Sequence, residues 1–113
     1  MKSIAQALDL KNDKKTIALY EKYHREVWPE VLTDLKSNGI IRMEIFRIGS
    51  HLFMYCQVPD AFAPKRDFQK YTRSKKSVEW NELMMGFQQK VPEATAGEWW
   101  GEMKRVFDTE WFK

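Results

Sequence analysis

Eight residues, His51 to Val58, constrain the fold of this chain more than any other segment. They read His-Leu-Phe-Met-Tyr-Cys-Gln-Val, a run of strand character. In a strand, successive side chains point to opposite faces. Leu52, Met54, Cys56 and Val58 therefore share one face, while Phe53 and Tyr55 share the other. Both faces are apolar, so the sheet that holds this strand must be covered on both sides.

The flanking sequence supplies one cover. Ser3 to Leu10 alternates weakly and reads as a first strand. Asn12 or Asp13 is a fitting N-cap, and a helical pattern runs from Lys14 through Ile17, Tyr20, His24 and Trp28. Pro29 cannot donate to the preceding turn. A kink or restart is expected there, followed by a helix over Glu30 to Ser37 with Val31, Leu32 and Leu35 facing in. Asn38-Gly39 stops it.

Ile40 to Ile48 reads as a second strand, joined to the third through Gly49-Ser50 as a hairpin. Pro59 to Pro64 is a loop. Lys65 to Ser74 carries Phe68 and Tyr71 at helical spacing. Val78 to Gln89 reads as a helix with Trp80, Leu83, Met84 and Phe87. A loop over Val91 to Glu98 leads to a fourth strand, Trp99 to Phe107.

The order is β-α-β-β-α-β, the split βαβ arrangement of ferredoxin-like α+β folds. It predicts a four-stranded antiparallel sheet with helices on one face. The other sheet face stays apolar. A second copy would cover it, giving a homodimer whose two sheets form a dimeric α+β barrel, and a ligand is the other candidate. At 113 residues one domain, 1–113, is expected.

The net charge of +3 is too small to imply nucleic acid. The basic run Lys65-Arg66 through Arg73, Lys75 and Lys76 reads as a solvated helix face. Cys56 is the single cysteine, so no disulfide can form within the chain, and no set of metal ligands accompanies it. Met1-Lys2-Ser3-Ile4 lacks the apolar core of a signal peptide, and no run is long enough to span a membrane. A cytoplasmic protein without membrane attachment is expected.

Chemistry concentrates in Tyr20-Glu21-Lys22-Tyr23-His24-Arg25-Glu26-Val27-Trp28-Pro29-Glu30. Tyr20, His24 and Trp28 recur every fourth residue and share one helix face. A phenol, a titratable imidazole and a flat apolar ring suit proton transfer on a small polar molecule with one apolar face, such as a sugar. The same stripe would also serve as core, but a phenol and an imidazole inside a core need hydrogen-bond partners.

The stretch Tyr20-x-x-x-His24-x-x-x-Trp28-Pro29-Glu30, followed by Leu35-Lys36-Ser37-Asn38-Gly39, resembles the L-rhamnose mutarotase family. Leu52-Phe53, Trp80, Glu102 and Val106-Phe107 fall where that family has similar residues. The resemblance implies a small dimeric α+β barrel that interconverts the α and β anomers of a 6-deoxy-L-sugar without a cofactor or metal. It implies His24 as the catalytic histidine, Tyr20 as its companion one turn earlier, and Trp28 and Trp80 as pocket walls. Met43 stands where rhamnose enzymes tend to have tyrosine, and the Gly97 to Gly101 segment and the tail Asp108 to Lys113 differ from better-known members. L-fucose is therefore a candidate beside L-rhamnose.

Arg42 and Glu102, charged residues in an apolar sheet, are expected to bind sugar hydroxyls if they face the pocket. His51 is expected at the surface. Two further readings stand beside the mutarotase. One is a haem-binding or cofactor-free oxygenase on the same barrel, with His24 as axial ligand. The other is a non-catalytic ligand-binding module, suggested by the aromatic tail Trp111-Phe112.

Overall fold

The computed structural model describes residues 1–68 and 74–112. Its strands are β1 (Lys2–Leu10), β2 (Arg42–Ile48), β3 (His51–Val58), β4 (Gln88–Gln89) and β5 (Gly101–Glu102). Its α-helices are α1 (Lys14–Arg25), α2 (Pro29–Ser37), α3 (Pro64–Asp67) and α4 (Lys75–Phe87), and a 3₁₀ turn over Thr109–Phe112 follows β5. Among the described residues no helix is long and apolar enough to cross a membrane.

The fold is the ferredoxin-like α+β arrangement. The sheet runs β2-β3-β1-β4, with β5 also on β1, and every pairing is antiparallel. Opposite residues share a face, so the registers Ile4↔Cys56, Gln6↔Met54 and Leu8↔Leu52 define the helix-covered side. Met43 and Ile45 of β2 join it opposite Cys56 and Met54.

Local chemistry sets the helix limits. The Asp13 carboxylate accepts from the backbone N–H of Thr16 at 3.1 Å and caps α1. Lys22 and Arg25 close its last turn, where positive charge suits the helix dipole. Pro29 opens α2 at the first turn, where its missing N–H costs nothing. Gly39 takes φ +95° to turn the chain into β2.

One carboxylate ties α2 to α4. Asp34 Oδ2 accepts from the Ser74 hydroxyl at 2.7 Å and the Ser77 hydroxyl at 2.6 Å. Ser74 itself caps α4 through the Ser77 N–H. The lock fixes the start of α4 and hence the height of Trp80 above the sheet.

The core has two parts. Leu10, Tyr20, Val31, Leu52, Trp80 and Met84 form one, and Ile40, Met54, Cys56, Val58 and Phe62 form the other. Burial pushes the Cys56 thiol up to about 12, the signature of an inert packed sulfur.

Several expected elements differ from the structure. Gln88 and Gln89 leave the helix and pair with Leu10 and Asp9 as β4. The fourth strand shrinks to Gly101–Glu102, paired with Ala7 and Gln6. Met103 N–H adds one bond to the Ala5 carbonyl at 2.9 Å. Beyond it the Arg105 guanidinium occupies the Ser3 carbonyl at 2.8 Å, so that edge of β1 is satisfied by a side chain rather than by a strand. Leu32 does not face the core: it is 46% exposed. Of the helix expected over Lys65 to Ser74, α3 takes the first part. Tyr71 and Arg73 lie outside the described residues, while Lys75 and Lys76 are exposed on α4 as expected.

The second sheet face carries Phe46 opposite Phe53, their ring centroids 6.0 Å apart. Both are exposed. Among the described residues no element packs over this pair.

Candidate active site

Between the helices and the sheet lies a cavity of about 890 Å³. Tyr20 and His24 of α1 form one wall, and Trp80, Asn81, Met84 and Met85 of α4 form another. Gln6, Met43, Ile45 and Met54 form the sheet floor. Residues 95–100 and Lys65 stand at the rim. Spacing of i,i+4 on α1 and α4 and of two residues on β2 brings these side chains to one space.

The His24 ring sits against Tyr20 with centroids 4.2 Å apart, and edge-on to Trp80 at 5.3 Å. Its Nδ1 lies 2.8 Å from the Tyr20 carbonyl oxygen. A carbonyl only accepts, so Nδ1 carries the hydrogen and Nε2 keeps the lone pair. Burial pulls the His24 pKa below its ordinary 6.5, against a smaller opposing effect of the Tyr20 carbonyl. At neutral pH the ring is a neutral base held in one tautomer.

Tyr20 is buried at the back of the cavity. Gln88 Nε2 donates to its hydroxyl at 3.4 Å, and the Trp99 indole N–H donates to Gln88 Oε1 at 2.7 Å. At the rim Glu98 accepts from the Thr95 backbone and hydroxyl. Those bonds hold its carboxylate below the usual range, with Lys65 adding to the effect.

The structure brings together His24, Tyr20, Trp80 and Glu102. It does not bring Arg42 to them. Arg42 belongs to the opposite strand parity from Met43 and Ile45, is exposed on the uncovered face, and pairs with Glu44 at 3.4 Å. Trp28 is also not a cavity wall. Helix α1 ends at Arg25, and Trp28 beyond it packs against Trp80, edge-on at 5.2 Å, with Lys76 over its ring at 5.4 Å. His51 is exposed, bonded to Asp9 at 2.8 Å.

Sequence reasoning missed Gln6, Gln88, Trp99 and Trp100. Gln6 had a signal: it is the polar member of the inward set Ile4, Gln6, Leu8, Leu10. Gln88 had none, because its pairing with Leu10 is a long-range event. Among the described residues no group of three or more His, Cys, Asp or Glu side chains is placed to hold a metal ion.

A profile of the L-rhamnose mutarotase family matches residues 3–109. The chain is 54% identical over 116 residues to a UPF0734 protein of Dictyostelium discoideum, covering 99% of this chain and 93% of that one. It is 38% identical over 109 residues to the L-fucose mutarotase of Xanthomonas campestris pv. campestris, covering 95% and 87%. The crystal structure of L-rhamnose mutarotase FA22100 from Formosa agariphila superposes with a TM-score of 0.66 at 19% identity, over 96% of this chain and 98% of that one. The match spans both halves of the sheet and the helix that carries Tyr20 and His24, and on that extent the chain belongs to the L-rhamnose mutarotase family.

Proposed function

We propose that the protein is a sugar mutarotase that interconverts the α and β anomers of a 6-deoxy-L-sugar, L-fucose or L-rhamnose, with His24 as the base. The observation that carries the reading is the state of His24: neutral, fixed as the Nδ1–H tautomer, and set in the cavity wall beside the Tyr20 phenol.

Mutarotation opens a hemiacetal and closes it on the other face. Nε2 of His24 takes the proton from the anomeric hydroxyl as the ring opens. The Tyr20 hydroxyl delivers a proton to the ring oxygen, and both steps reverse on closure. Such proton transfer contributes roughly 10²–10⁴-fold in rate. Trp80 and Met84 offer the apolar surface for the sugar's C–H face and its methyl group. Trp28 acts through Trp80 by bracing it from behind. Phe46 and Phe53 on the uncovered sheet face support a homodimer closed sheet to sheet.

The test is NMR saturation transfer between anomeric protons of L-fucose and of L-rhamnose, with wild-type protein and with His24→Ala. Transfer with one sugar that vanishes in the variant is expected. Wild-type rates in His24→Ala, or no transfer with either sugar, would sink the reading.

A further inference from the structure

We infer that Gln6 is a specificity-determining residue, its amide acting across the β1–β5 pairing with the Glu102 carboxylate to hydrogen-bond neighbouring hydroxyls of the sugar ring. The inference rests on the mutarotase reading and adds to it the part of the site that tells one sugar from another.

Gln6 occupies a place where the chain elsewhere uses apolar residues. Ile4, Leu8 and Leu10 point to the same side of β1, and Leu8 and Leu10 are packed to within 2% of full burial. Gln6 is 8% exposed and lines the cavity floor. Among the described residues nothing hydrogen-bonds its side-chain amide. Its amide atoms are not among the sealed, unpartnered polar groups, so they reach the open space of the cavity, where a leucine would continue the apolar pattern of the strand. The group is placed for a partner that enters the cavity.

Glu102 completes the pair. It stands directly opposite Gln6 in the β1–β5 register and lines the same cavity. Opposite residues of antiparallel strands hold their Cβ atoms about 4.5–5.5 Å apart. The amide brings two N–H donors and one acceptor, and the carboxylate brings acceptors only. Adjacent ring hydroxyls, each donating and accepting, match that set. A site built on such bonds rejects a sugar lacking the hydroxyl far more strongly than an apolar pocket rejects a methylene.

The test compares wild type, Gln6→Leu and Gln6→Met on L-fucose, L-rhamnose and their 2-, 3- and 4-deoxy analogues by NMR exchange. The expected result is a loss of roughly tenfold or more in kcat/KM on the preferred sugar, equivalent to one hydrogen bond of ordinary strength. On the analogue lacking the contacted hydroxyl the loss shrinks to about twofold or less. Thermal melting of Gln6→Leu is expected at or above the wild-type temperature. In wild-type protein the Gln6 side-chain amide resonances shift when the preferred sugar saturates the site. Equal losses on every analogue, no loss at all, or unmoved amide resonances overturn the inference. Wild-type protein inert toward all sugars overturns the mutarotase reading instead.

Discussion

The indole N–H of Trp99 donates to Oε1 of Gln88 at 2.7 Å, and that bond fixes which way round the amide sits. An indole can only donate, so Gln88 must turn its oxygen to Trp99 and its NH₂ toward the Tyr20 hydroxyl. A residue of the rim loop thereby orients the phenol at the back of the cavity. Gln88→Leu removes both bonds and is expected to lower kcat roughly tenfold while KM changes little. Trp99→Phe, which frees the amide to flip, is expected to give a smaller loss of the same kind. Exchange rates measured against sugar concentration separate the two parameters.

The pH profile follows from His24. Burial holds its folded pKa below 6.5, so the ring is mainly unprotonated at neutral pH. Activity is expected to fall on the acid side with its inflection below 6.5, as pH passes the lower folded pKa. The unfolded chain binds a proton at the ordinary value. The contribution of His24 to stability is therefore complete above 6.5 and declines as pH falls through the folded pKa. An acid limb centred above 6.5 in kcat/KM would contradict this assignment.

Asp34 is expected to be the most sensitive polar position outside the cavity. Asp34→Ala leaves two serine hydroxyls and the Ser74 backbone N–H without their acceptor. The expected cost is about 1–3 kcal/mol, read from denaturant midpoints at constant m-value. Asp34→Asn, which keeps an acceptor oxygen, recovers part of it.

Phe53→Glu tests the second sheet face. The side chain is 38% exposed and stacks beside Phe46. If sheets close on one another, a charge there leaves a monomer in sedimentation velocity while far-UV circular dichroism is retained. An unchanged mass would place the contact elsewhere.

The thiol of Cys56 is completely buried and pushed up to about 12. Alkylation by iodoacetamide at pH 8 is expected to proceed only through global opening, at a rate that tracks denaturant concentration.

Where local pattern and tertiary packing agree, the fold was legible in the residues. β3 begins at His51 and ends at Val58 as alternation and the Gly49 turn require, and α1 and α2 part before Pro29. Strand four was not legible. Gln88 and Gln89 pair because Asp9 and Leu10 lie beside them, and Arg105 displaces the strand expected after Met103. Neither event has a local signature. In the site, i,i+4 spacing puts Tyr20 and His24 together, whereas the condition set for Arg42, that it face the pocket, fails because Met43 and Ile45 hold the inward parity of β2.

The divided outer strand leaves the mouth of the cavity free of the ladder that fixes its floor. Only short stretches of β4 and β5 are committed to β1, and the residues between them, which include the rim over the cavity, carry no ladder. Substitutions there can reshape the mouth without breaking sheet pairing. The helix that carries His24 and Tyr20 stays where it is through such changes, held to β2 by the Arg47–Glu21 ion pair at 2.9 Å.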